Sequence, residues 1–247
     1  MSISGVAIVT GSARRLGRQV ALSLARIGFD LVINYRRSHA EAVRTCDEIR
    51  SVGRDCIHVQ ADISRPTDVE NLVQESLDKY RRIDVLVNNA GIFMRRPWDE
   101  IDRAMWEEVI GTNLTGVFLC SQAVGREMVK QGYGRIINLA SIGGIQAWAK
   151  HIPYSVSKSG VISLTRCFAR ALAPSVTVNA VAPGTIIIEG EEDPSIQHAP
   201  LERIPMKRYG TPADITSLVV FLARSAPYVT GQVFAADGGR SIDFVPI

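Results

Sequence analysis

Seven short runs of aliphatic and β-branched residues punctuate this chain, and the stretches between them carry helical patterning. The runs are Val6 to Thr10, Leu31 to Tyr35, Cys56 to Gln60, Ile83 to Val87, Arg135 to Ala140, Val176 to Ala182 and Val233 to Ala236. Most are continuously apolar, as expected of strands covered on both faces. The intervening stretches, such as His39 to Val52, are amphipathic and long enough for crossover helices. A strand–helix alternation repeated this often predicts one α/β domain over 1–247. Its sheet is doubly wound, parallel and seven-stranded, with helices on both faces. The 247 residues suffice for one such core.

Composition excludes several functions. Net charge is +3, with Lys and Arg scattered among Asp and Glu. No basic run invites nucleic acid or an anionic membrane. No apolar run approaches the ~18 residues that span a bilayer. Met1 to Gly5 leads straight into a strand pattern, so the expectation is a cytoplasmic protein without a leader. Cys46, Cys56, Cys120 and Cys167 have no C-x-x-C spacing, which predicts reduced thiols and no metal site.

The first strand ends at Gly11, and S-A-R-R-L-G follows before a helical pattern through Leu16, Val20, Leu24 and Ile27. Strand, glycine turn and helix form the setting in which backbone N–H groups hold a pyrophosphate. Gly11 permits the tight turn and Gly17 a close helix–strand approach. Beyond the second strand stands N-Y-R-R-S, with no acid to meet a ribose 2′-hydroxyl. Arg37 and Ser38 instead suit a 2′-phosphate, and Arg14 is placed to close on it, which predicts NADPH/NADP+ over NAD. Arg36 and Arg37 as a solvated loop is the competing reading. Asp62, after the third strand, either accepts from the adenine amino group or shapes the turn ahead of Ser64 and Pro66.

Tyr154 and Lys158 stand four residues apart behind Pro153, which fits the first turn of a helix. That spacing places an ammonium one turn from a phenol. Tyrosine, with an ordinary pKa of about 10, needs roughly 4 kcal/mol of preference for phenolate to titrate near neutrality, and a fixed cation supplies part of it. Ser141, at the end of a buried strand beside Gly143 and Gly144, is placed to bind a substrate oxygen. Asn113 lies in an otherwise apolar stretch within Asp99 to Lys130, read as one or two helices. A buried amide there is either a hydrogen-bond hub or a water holder. Asn88 and Asn89 must likewise satisfy their amides at a strand end. Pro174 ends the central helix, and residues 185–206 have no clean period, which predicts a substrate-binding loop or lid. Within it, Glu189, Glu191, Glu192 and Asp193 read as a solvated edge. Thr211 and Pro212 open another helix.

Together T10-G11-S-A-R-R-L-G17, Asp62, N88-N89-A90-G91, Asn113, Ser141, Y154-x-x-x-K158 and P183-G184 resemble the short-chain dehydrogenase/reductase family over essentially the whole chain. The resemblance implies a Rossmann fold and a catalytic tetrad of Asn113, Ser141, Tyr154 and Lys158. By it, Tyr154 protonates a carbonyl oxygen, Ser141 orients it, and Lys158 lowers the Tyr154 pKa and holds the nicotinamide ribose. Asn113 positions a water that leads from Lys158 to solvent. The cofactor contacts it implies are Gly11, Arg14, Arg15, Leu16, Arg37, Ser38, Asp62, Ile63, Asn89, Ala90, Gly91, Tyr154, Lys158, Pro183, Gly184 and Thr185, the last on the nicotinamide amide.

Arg15 occupies a position where the family usually has glycine. T-G-x-x-x-R-x-G and N-Y-R-R-S-H-A-E-A look like the pteridine reductase branch, whereas Ser141 stands where that branch commonly has aspartate. The V-N-A-V-A-P-G and R-Y-G-T-P-A-D-I segments are similar to 3-oxoacyl-carrier-protein reductases. The expected substrate is therefore a small carbonyl compound, as a 3-oxoacyl thioester on acyl-carrier protein or CoA, with a pterin as the alternative. Arg170 falls where such enzymes dock a carrier, or else it is a solvated helix residue. A non-catalytic dinucleotide sensor is the reading from another class. The resemblance also implies a homotetramer.

Overall fold

A computed structural model describes residues 5–190 and 200–242. Seven strands form one parallel sheet: β1 Gly5–Val9, β2 Phe29–Tyr35, β3 Cys56–Gln60, β4 Val85–Asn88, β5 Gly134–Leu139, β6 Val176–Pro183 and β7 Val233–Ala236. The helices between them are α1 Arg15–Arg26, α2 His39–Ser51, α3 Pro66–Tyr80, α4 Arg103–Ile110, α5 Gly116–Gln131, α6 Ile152–Leu172 and α7 Pro212–Arg224. Strand order is β3-β2-β1-β4-β5-β6-β7, so the winding reverses between β1 and β4. In such sheets the crevice beyond the carboxyl ends at the reversal receives ligands.

Alternate strand residues feed two cores, as the two-residue period of a strand requires. Ala7 and Val9 pack under α1, α2 and α7, with Val20, Leu24, Ile49 and Leu222. Val6 and Ile8 pack under α3 and α5, with Leu72, Val124 and Met128. Every residue of β1 and β4 is buried, while the edge strands β3 and β7 are only partly covered. All four cysteines are free thiols.

The stretch read as one or two helices from Asp99 to Lys130 is more finely divided. A 3-10 turn at Trp98–Glu100 precedes α4, whose cap Asp102 accepts from the Met105 N–H at 2.7 Å. A π-helical turn at Gly111–Thr115 then joins α4 to α5 and carries the buried Asn113. Such turns insert one residue into the helical ladder and recur at functional sites. The other elements lie within two residues of the expected bounds, and α6 ends two residues before Pro174.

Of the expected loop at 185–206, the described parts include a bridge between Ile186 and Gly210 and a 3-10 turn at Leu201–Arg203. Glu191, Glu192 and Asp193 lie outside the described residues. No helix is long and apolar enough to cross a membrane among the described residues.

Candidate active site

The glycine turn after β1 is fastened to the turn after β4. Thr10 Oγ1 accepts from both the Asn89 and Ala90 backbone N–H groups at 3.0 Å. The Asn89 amide donates to the Thr10 and Gly11 carbonyls at 2.9 and 3.0 Å. Asn34 completes the frame by accepting from the Gly11 N–H at 3.1 Å. Gly11 has φ +61, and a side chain there would meet Ala90 Cα at 2.8 Å. A methyl at Gly17 would lie 2.4 Å from the Gly11 carbonyl oxygen. Both glycines are thus required by close backbone approach.

The N-terminus of α1 fits an anion. No side chain caps it and no acid lies in its first turn. Its N–H groups and dipole, with the exposed Arg14 and Arg15, offer donors for a pyrophosphate. Leu16 is half-buried against the core, leaving its backbone for that role. At the end of β2, Arg36 pairs with Asp62 at 3.6 Å. Arg37 is exposed and Ser38 half-buried, and Arg37 forms no ion pair among the described residues.

Asp62 is a turn former. Its Oδ1 accepts from the Ser64 N–H and hydroxyl at 3.0 and 2.7 Å. Burial raises its pKa, but these bonds and the charges of Arg36 and Arg65 outweigh burial and hold it below the ordinary value. Ile63 is buried beneath Gly116, so its side chain belongs to the core.

Beside this cradle, Ser141 stands two residues beyond β5; it is buried, and its Oγ accepts from the Gly143 N–H at 3.0 Å. Pro153 opens α6 as expected, putting Tyr154 and Lys158 on one face of it. The Lys158 Nζ lies 5.9 Å from the Tyr154 ring centroid and donates to the Leu139 carbonyl at 2.6 Å. The Ser141 hydroxyl stands beside Tyr154 and favours its ionised form.

Electrostatics here differ from the sequence-based expectation. Enclosure raises the Tyr154 pKa above 10.0, and the neighbouring Ser141 hydroxyl opposes this only in part. Burial also lowers Lys158 to about 8, since an ammonium is costly away from water. Sequence spacing exposes the cation beside the phenol but not the desolvation they share. In the protein alone, desolvation wins and Tyr154 stays protonated.

Asn113 is a hub. Its Oδ1 accepts from the Ile92 N–H at 2.8 Å, and its amide donates to the Ile92 carbonyl at 2.9 Å and to Ser157 Oγ at 3.2 Å. It fastens the segment after β4 to α6. A methyl at Gly91 would sit 3.3 Å from Asn113 Oδ1 and 3.7 Å from Lys158 Nζ, so these groups converge.

At the end of β6, the Gly184 N–H donates to the Ala236 carbonyl at 3.0 Å and Pro183 closes the strand. Thr185 Oγ1 accepts from Arg240 at 3.1 Å. Arg170 is exposed in the last turn of α6. Sixteen residues separate it from Tyr154, a rise of about 24 Å along the helix. It does not line this cleft.

Sequence reasoning missed the aromatic wall. Phe93 meets the Tyr154 ring edge-on at 4.8 Å and stacks on His151 at 4.4 Å. Trp148 lies nearly parallel to Tyr154, with centroids 6.2 Å apart. The His151 Nδ1 bonds the Met94 carbonyl at 2.8 Å, and burial lowers its pKa. Phe93 and Trp148 carry no periodic signal, because they meet only when the turns after β4 and β5 fold together.

The family model described as enoyl-(acyl carrier protein) reductase matches residues 11–241. A 3-oxoacyl-[acyl-carrier-protein] reductase of Synechocystis is 44% identical over 237 residues, covering 95% of this chain and 96% of that protein. The chain belongs to the short-chain dehydrogenase/reductase family. A 3-oxoacyl-[acyl-carrier-protein] reductase of Staphylococcus epidermidis is 40% identical, covering 94% of this chain and 97% of its own. The crystal structure of acetoin dehydrogenase from Enterobacter cloacae superimposes with TM-score 0.90 at 34% identity, covering 100% of both chains. This short-chain dehydrogenase/reductase is therefore an oxidoreductase acting between CH–OH and C=O groups, with a nicotinamide dinucleotide cofactor. Its Arg15 adopts φ 54, a left-handed conformation natural to glycine.

Proposed function

We propose that this short-chain dehydrogenase/reductase is an NADPH-dependent ketone reductase, with 3-oxoacyl thioesters as its leading substrates. The observation that supports it is the convergence of Ser141, Tyr154 and Lys158 beyond the carboxyl ends of the strands, beside the α1 cradle. Tyr154, protonated because it is enclosed, donates its proton to the carbonyl oxygen. Ser141 holds that oxygen, and Lys158 stabilises the phenolate left behind and holds the cofactor ribose. Asn113 keeps the neighbouring segment in place and positions a water beside Lys158. When bound, NADPH supplies hydride to the carbonyl carbon. Arg37, Ser38 and Arg14 hold its 2′-phosphate. Arg15, Leu16, Asp62, Ile63, Asn89, Ala90, Gly91, Pro183, Gly184 and Thr185 line the remainder of the cofactor cleft.

The names of the Synechocystis and Staphylococcus relatives support the thioester reading. The acyl group comes on a carrier protein or CoA, in the cytoplasm, to a homotetramer whose 185–206 segment covers the substrate. A second reading, a pteridine reductase, draws on the Arg15 loop and on the aromatic rings of Phe93 and Trp148 beside Tyr154. The assembled catalytic residues speak against an idle dinucleotide sensor.

The test is oxidation of NADPH by purified protein with an acetoacetyl thioester, a neutral ketone, a dihydropterin and an enoyl thioester. The thioester and ketone are expected to be reduced. Tyr154→Phe should lower kcat by about 10²–10⁴; full activity in that variant sinks the mechanism. Preferential reduction of the dihydropterin would install the second reading. Arg37→Ala should weaken NADPH binding by about tenfold or more while leaving NADH little changed. Equal losses would refute the phosphate assignment.

A further inference from the structure

Arg240 reaches the aromatic wall beside the phenol and forms no ion pair among the described residues. It is half-buried, and its guanidinium carbon sits 5.4 Å from the Trp148 ring centroid. Trp148 in turn lies nearly parallel to Tyr154, and both rings press on Gly143. One indole is thus flanked by the phenol and by the guanidinium. The arrangement is built. The Gln146 amide donates to the Arg240 carbonyl at 3.1 Å, and Gln146 Oε1 accepts from the Trp148 indole N–H at 3.4 Å.

Guanidinium has five donors, and the Arg240 side chain bonds only Thr185 Oγ1 among the described residues. It forms no ion pair among those residues. Asp237 is the acid whose field reaches it, but the Asp237 carboxylate accepts from the Gly239 and Ser241 N–H groups at 3.0 and 2.6 Å. Arg203 adds positive field. A part-buried cation stacked on an aromatic face, with donors left unused among the described residues, suits an oxyanion.

We propose that the carbonyl substrate carries an oxyanion, a carboxylate or a phosphate, which Arg240 grips beside Trp148 while Tyr154 meets the carbonyl. This rests on the role assigned to Tyr154 above. The shared chemistry is a planar or tetrahedral oxyanion taking two parallel N–H donors. The acid end of a free oxo acid and the phosphate of a pantetheine arm both present it.

The experiment compares kcat/KM at saturating NADPH within two matched pairs. One pair is levulinate and its neutral amide. The other is acetoacetyl phosphopantetheine and its dephosphorylated counterpart. Wild-type protein should favour the charged member of at least one pair by about tenfold or more, and the favoured pair names the anion's source. Arg240→Gln should bring that ratio close to one, whatever it does to both rates through Thr185. Arg240→Lys should keep part of the preference, since charge persists while the fork is lost. A ratio that survives Arg240→Gln overturns the proposal. So does a wild-type protein indifferent to charge in both pairs, a result that needs no variant to fold and leaves the reductase reading intact. Failure of wild type to reduce any member sinks the reductase reading and the anion receptor with it.

Discussion

Tyr154 and Lys158 show how two neighbours share one energetic problem. Each loses water on folding, and each shifts toward its neutral form: phenol for Tyr154, amine for Lys158 at about 8. A lysine whose folded pKa is depressed binds fewer protons than its unfolded counterpart between about pH 8 and 10.4. Stability therefore rises with pH across that window, because the unfavourable buried charge disappears. Denaturant unfolding of wild type and Lys158→Met at pH 7.5 and 9.5 reads this directly. The wild type should gain on the order of 2 kcal/mol over the variant at the higher pH; an unchanged difference would mean that Lys158 keeps its ordinary pKa. The sequence made this pair visible, since spacing on a helix is legible. It hid the sign of the Tyr154 shift, because enclosure depends on Phe93 and Trp148, which arrive from other turns. Arg240 was hidden for the same reason: its partner Gln146 is 94 residues away.

At the level of elements, strands were legible because helices cover both faces and leave unbroken apolar runs. The π-helical turn at Gly111–Thr115 was not, since one inserted residue leaves no mark on a 3.6-residue period. The α1 terminus holds a testable conflict. Arg15 takes φ 54 at a site where its Cβ costs roughly 1–2 kcal/mol relative to glycine. Arg15→Gly should therefore raise stability by about 1 kcal/mol in a thermal or urea melt, even after the entropy glycine loses on folding. The same variant should bind NADPH more weakly if the guanidinium touches phosphate. A gain in stability with unchanged cofactor affinity would assign Arg15 no phosphate, and a loss of stability would refute the strain.

For the whole molecule, the apolar surface is unevenly distributed. Trp106 on α4 and Phe118 and Val129 on α5 are more than a third exposed, as are Phe221 on α7 and Tyr228 beyond it. Exposed aromatic residues in groups mark association surfaces. The proposed homotetramer predicts a species near four times the 27.0 kDa chain in sedimentation. Phe118→Glu is expected to split it into smaller assemblies; a monomeric wild type would remove the proposal.

The seam between β1 and β4 has a consequence for how such a protein can change. One threonine hydroxyl receives two amides from the opposite turn, and one asparagine answers with two bonds back. The crevice cannot widen by splaying its walls, because they are riveted where it begins. Adaptation to a bulkier reactant must then come from the side chains around the cleft, where Phe93, Trp148 and Arg240 gather beside Tyr154. Remodelling those side chains should retune selectivity while leaving the hydride geometry untouched.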